Sequence, residues 1–128
     1  MDYPYWTLLI AALLPYVWAT VAMVYKIKMD GKIDLKLPRE QTARLDGAGK
    51  RANAAQSNAW EALAVYTACF LTAVVADVDP GLLIIPAIGW VVCRLVHGFA
   101  YVSDIALLRM LAFAGGMFCN IMIIVKAL

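Results

Sequence analysis

Apolar residues fall in four long blocks along this chain, separated by short polar stretches of distinct character. The first block, Tyr3 to Tyr25, is free of charge and predicts a helix over residues 4–25, with Pro4 suited to the first helical position. At 1.5 Å per residue it is long enough to cross about 30 Å of hydrocarbon, and Pro15 stands where it would kink the span midway. Lys26 to Lys50 follows, with Lys and Arg alternating with Asp30, Asp34, Glu40 and Asp46, and with Gly31, Pro38, Gly47 and Gly49 as breakers. This stretch, residues 26–50, reads as a solvated loop. The uncharged part of the second block, Ala62 to Ala76, is shorter than the roughly 20 residues a span requires. The second helix is therefore expected over 51–77, which draws the polar run RANAAQSNAWE into a membrane helix. Asp77-Val78-Asp79-Pro80-Gly81 predicts a tight turn, with Asp79 as N-cap and Pro80 opening a third helix over 80–101. Ser103 and Asp104 offer caps for a fourth helix over 104–126, and no internal repeat or low-complexity tract interrupts the series.

Composition turns this pattern into a fold class. The chain is 64% hydrophobic and 16% charged with a mean hydropathy of +0.77, whereas soluble domains carry about 25% charged residues. The expectation is an all-α, integral membrane four-helix bundle forming one domain over 1–128. Net charge is only +2, but eight of the eleven Lys and Arg lie between Lys26 and Arg51. The positive-inside rule then places that loop in the cytoplasm and the Asp77 to Asp79 turn outside. The first block exceeds the roughly 7 to 15 apolar residues of a signal-peptide core and lacks a basic flank, so it reads as a retained span. With no organelle signal visible, a bacterial inner membrane is the expected location, and no nucleic-acid partner is expected. Cys69, Cys93 and Cys119 each lie inside an apolar run without C-x-x-C spacing or clustered His, which supports packing rather than disulfides or a metal site. Trp6, Trp18, Trp60 and Trp90 read as packing or interfacial anchors. Gly115 and Gly116 read as points of close helix approach.

The polar residues inside the spans carry the chemistry. Arg94, His97 and Tyr101 recur at intervals of three and four within WVVCRLVHGFAY and so share one helical stripe. On the second helix Asn58 and Glu61 are neighbours at i and i+3, with Arg51 two turns earlier on the same side. Arg109 lies early in the fourth helix. Counted from the outer ends, Glu61, Arg94 and Arg109 lie about 25, 21 and 24 Å into a core about 30 Å thick, so three helices present charge at one depth. Snorkelling to the headgroups accounts for any one of them. A charge at the centre of a span costs about 2.5 to 3.5 kcal/mol on insertion scales, however, and lipid contact needs no such coincidence. Arg51, Arg94 and Arg109 against Glu61 leave an excess of cations, which suits a zwitterionic peptide with two carboxylates and one ammonium. Neither a dinucleotide nor a P-loop glycine cradle is present.

Arg94-x2-His97-x3-Tyr101, Asn58-x2-Glu61, the early Arg109 and the basic first loop together resemble the membrane-associated proteins in eicosanoid and glutathione metabolism, the MAPEG family. The pattern on the third helix resembles that of the microsomal prostaglandin E synthase and glutathione transferase members. The resemblance implies a homotrimer in a lipid bilayer with glutathione, the co-substrate, between subunits near the cytoplasmic ends of the helices. It further implies that Asn58, Glu61, Arg94 and Tyr101 contact the peptide, that His97 orders the network and that Arg109 faces the sulfur, with Tyr101 as a further donor. A guanidinium beside a thiol favours the thiolate, drawing its pKa below about 8.5. A hydrophobic small-molecule substrate would arrive through the bilayer. The chain departs from the family on the second helix, where Ala54 and Ser57 stand in positions that members fill with basic residues, leaving Arg51, Lys26 or Lys28 to reach the carboxylates. A hydroxyl that some members carry after the catalytic Arg is replaced by Met110.

Two other classes compete with an enzyme. A non-catalytic membrane protein would use the polar layer to bind lipid headgroups or to hold a trimer together. A transporter would need matching polar residues continuing into the outer halves of the helices, and no continuous pathway of them is visible.

Overall fold

The computed structural model describes residues 2–128 and consists of helices joined by short connections: α1 (Trp6–Asp30), α2 (Pro38–Ala43), α3 (Gly47–Val75), α4 (Pro80–Val102) and α5 (Ala106–Val125). Among the described residues, α1, α3, α4 and α5 are each long and apolar enough to cross a membrane. The chain is a multi-pass membrane protein with an all-α fold. α1 packs along α3, α4 pairs with α5, and α3 bridges the two pairs. Leu9, Leu13, Ile85, Leu107 and Phe118 point outward, as lipid-facing side chains do.

The centre of the bundle is aromatic. Tyr66 and Phe70 of α3 and Trp90 of α4 are buried, and the Tyr66 and Trp90 rings stack 4.0 Å apart at 12°. The Tyr66 hydroxyl lies 2.6 Å from Thr7 Oγ1, whose own proton goes to the Pro4 carbonyl at 2.7 Å. Tyr66 is therefore the donor, and both buried hydroxyls are satisfied.

The helix ends differ from the sequence expectation in ways that have local causes. α1 continues past Tyr25 to Asp30, because Lys28 and Asp30 are exposed, Lys26 is half-buried and all three are compatible with helix, and the stop comes only at Gly31. Gly31 takes a left-handed φ of 76°, and its N–H closes on the Ile27 carbonyl at 2.7 Å. α3 starts at Gly47 rather than 51, since Asp46 caps it by accepting from the Gly47 N–H at 2.7 Å. The loop expected over 26–50 thus shrinks to a short connection that includes α2, with Pro38 in its first turn. Ser103 and Asp104 do not cap α5, whose N-cap is Ile105 with no side-chain bond. They close α4 instead. Asp104 is left-handed (φ 61°), its N–H donates to the Tyr101 carbonyl at 3.3 Å, and the Ile105 N–H donates to Ala100 at 2.9 Å, a Schellman closure. Asp77 (φ 55°) closes α3 in the same way through the Val78 N–H to the Ala73 carbonyl at 3.1 Å. At the start of α4, Asp79 accepts from the Gly81 N–H at 2.7 Å.

Candidate functional site

Arg94 is the most deeply buried cation, only 5% exposed at the meeting of α3, α4 and α5. α5 packs against its stem at Gly116, where a Cβ would stand in ordinary contact, 3.6 Å from Arg94 Cδ. Its Nη2 donates to the Asn58 side-chain oxygen and, at 3.5 Å, to the Asn58 carbonyl. Among the described residues the only ion pair is Arg44 with Asp30 at 2.7 Å, far from this layer in the chain. Arg94 is thus a buried guanidinium held by a neutral amide, with its charge unneutralised and most of its five donors free. Glu61 and Asn120 line the same cavity of about 280 Å³, together with Trp90 and Phe113. Asn120 is 4% exposed and its side-chain oxygen has no partner.

A second group lies toward the α4–α5 turn. His97 is 3% exposed, its Nδ1 is unpartnered, and its ring stands edge-on to Tyr101 at 5.7 Å. The Arg109 guanidinium lies over the Tyr101 ring, 4.5 Å from the centroid, a cation–π contact that orients it without neutralising it. Phe113 connects the groups: it lines the Arg94 cavity and lies 6.2 Å from the His97 ring.

Of the residues singled out from the sequence, Arg94, Asn58 and Glu61 meet at one cavity, and His97, Tyr101 and Arg109 meet beside it. Arg51 does not join either group; its Nε donates to the Val102 carbonyl at 3.1 Å, tying the start of α3 to the end of α4. Lys26 lines a separate, larger cavity of about 620 Å³ between α1, α2 and α3, with Arg39, Asn53, Gln56 and Ser57. Lys28 lies over the Tyr25 ring instead, at 5.1 Å. Two residues emerge only from the structure. Asn120 had a sequence signal, an amide alone in the apolar run MFCNIMII. Arg39 had none, since one cation in a basic loop looks like any other.

Residues 3–128 match the model of the MAPEG family. No curated protein and no solved structure matches the chain.

Proposed function

The chain belongs to the MAPEG family, whose members include glutathione-dependent transferases and isomerases as well as non-catalytic proteins, and from that premise we propose a glutathione-dependent membrane enzyme of transferase or peroxidase type. The observation that carries this reading is the buried Arg94, held by Asn58 alone, beside the unpaired carboxylate of Glu61 and the orphaned oxygen of Asn120. Leaving a charge without a counterion at this depth is costly unless an anion completes it. A donor set with a free guanidinium, a free carboxylate and two amides fits a zwitterionic peptide such as glutathione, which supplies a thiol nucleophile.

In this reading Glu61 accepts the ammonium, and Asn58 and Arg94 hold carboxylate and backbone oxygens. His97 and Tyr101 keep the polar wall in register. Arg109, oriented on Tyr101, stabilises the thiolate for attack on a hydrophobic electrophile delivered by the bilayer. Supporting a homotrimer, the exposed face of α3 carries Glu61 above Ala64, Ala68 and Thr72, a small-residue stripe of the kind that brings membrane helices together. The Thr72 hydroxyl is satisfied within that face by the Ala68 carbonyl at 2.7 Å.

Calorimetric titration with glutathione, wild type beside Arg94→Ala, tests the reading. Saturable binding that the substitution removes supports it. No binding to an intact trimer favours a non-catalytic role, for which the Arg51 bond to Val102 is the specific observation: a polar residue in this layer can serve as a strut and nothing more.

A further inference from the structure

The seam between α4 and α5 repeats one spacing on both helices: Gly89-x3-Cys93 on α4 and Gly115-x3-Cys119 on α5. Each sulfur sits against the glycine of the opposite helix. A Cβ at Gly115 would come within 2.8 Å of Cys93 Sγ, and one at Gly89 within 3.1 Å of Cys119 Sγ. The glycines are the sockets into which the two thiols fit. Because each Cα–Cβ bond leans toward the N-terminus of its own helix, the side chains of an antiparallel pair lean toward each other. Cys93 and Cys119 thus reach into the same α4–α5 seam from opposite sides, each leaning toward the level of the other. Both are free, Cys119 buried and Cys93 partly exposed.

The position of the pair also matters. The next residues in the chain are Arg94 and Asn120, both on the wall of the cavity described above, and Gly116 receives the Arg94 stem and the Cys93 Cβ side by side. A change in how the two sulfurs are joined therefore acts on that wall from behind. Packing alone asks only for small apolar side chains in the sockets. Two thiols in one seam add a two-electron chemistry that alanine would lack.

We propose that Cys93 and Cys119 form a redox-active dithiol that hydrophobic hydroperoxides dissolved in the bilayer oxidise to an interhelical disulfide. Cys93, the partly exposed thiol, attacks the distal oxygen of the hydroperoxide. An S–O bond forms as the O–O bond breaks, and the departing alkoxide takes the Cys93 proton, giving a sulfenic acid and the alcohol. The Cys119 sulfur then attacks the Cys93 sulfur: the S–S bond forms, the S–O bond breaks, and water leaves with the Cys119 proton. The two thiols supply two electrons, and the hydroperoxide is reduced to alcohol and water. The resulting bond pins α4 to α5 behind Arg94. This chemistry does not depend on glutathione binding and stands or falls apart from it.

The test is to treat the reduced, purified protein in liposomes with cumene hydroperoxide and to map the cysteines by mass spectrometry. The expected result is the loss of two hydrogens from the intact mass, a linked peptide pair containing Cys93 and Cys119, and recovery of both thiols with dithiothreitol. Cys69→Ser should leave this unchanged. Cys119→Ser should abolish the link and leave Cys93 as a sulfenic acid that dimedone traps. Cys93 and Cys119 both still open to alkylation after exposure, or a link through Cys69 instead, would overturn the proposal on the wild-type protein alone.

Discussion

At the backbone of Gly98 the indole of Trp18 closes from α1 so tightly that an added methyl would occupy the ring itself. Gly98→Ala should therefore force α1 and α4 apart and lower stability by about 1–3 kcal/mol, as overpacking does, seen as a lower unfolding midpoint in detergent. Asn58 makes a sharper test of the site. Replacing it with Asp turns the contact to Arg94 into an ion pair of nearly the same shape, so the helices should stay packed. The guanidinium would then be neutralised from within, and glutathione binding should weaken about ten- to a hundredfold, the worth of a hydrogen bond to a charged group. Unchanged affinity in Asn58→Asp would remove Arg94 from the proposed binding set. Arg94, Asn58 and Glu61 were legible in the sequence because a charge or amide in an apolar span is conspicuous. That Arg94 pairs with the amide and not with the carboxylate was not legible, since helical spacing gives a face but not the rotamer that chooses between neighbours one turn apart.

The four spans follow from hydropathy, but their ends are decided by caps that charge patterning hides. Lys28 and Asp30 look like part of a loop and are helix, because an exposed charge costs a helix nothing until Gly31 ends it. The turn after α1 is instead organised by a polar latch. Gln41 is 1% exposed; its Nε2 donates to Asp30 Oδ2 and to the Lys32 carbonyl, both at 2.9 Å, and its Oε1 accepts from the Asp34 N–H at 3.0 Å. Gln41→Ala deletes all three, so the α1–α3 connection should open locally by about 1–3 kcal/mol. Trypsin should then cut after Lys36 or Arg39 an order of magnitude or more faster, while the spans remain intact. The same segment should respond to acid. The backbone N–H groups of Leu37 and then Lys36 hold the Asp34 carboxyl below its ordinary value of 3.8. With the folded value depressed, the contribution of Asp34 is complete above 3.8 and fades as pH falls through the lower folded value. Hydrogen exchange of residues 34–41 should accelerate over that acidic range in wild type, and much less in Asp34→Asn.

For the whole molecule, the sequence places charge on three spans at one depth, while the folded chain divides that charge between two neighbouring groups, Arg94 with Asn58 and Arg109 with Tyr101. Depth along a helix is readable from residue counts; direction around it depends on how α5 packs on α4 across Gly115 and Gly116, which no count supplies. The division gives the two arginines separable roles. Arg94 is enclosed and its loss should remove binding, whereas Arg109 is half-buried and lies over the Tyr101 ring, and in the proposed function it faces the sulfur. Arg109→Ala should therefore leave glutathione affinity within a few-fold of wild type and lower the rate of conjugation to a hydrophobic electrophile about a hundredfold or more, the scale on which a charge at the reacting atom contributes. Arg109→Lys keeps the charge but gives up the planar stack on Tyr101 and should fall between the two. Turnover measured beside size-exclusion of the same samples separates this from a structural role. If Arg109→Ala instead breaks the assembly or lowers its unfolding midpoint as much as Gly98→Ala does, the guanidinium is holding helices together, and the polar layer belongs to the non-catalytic reading.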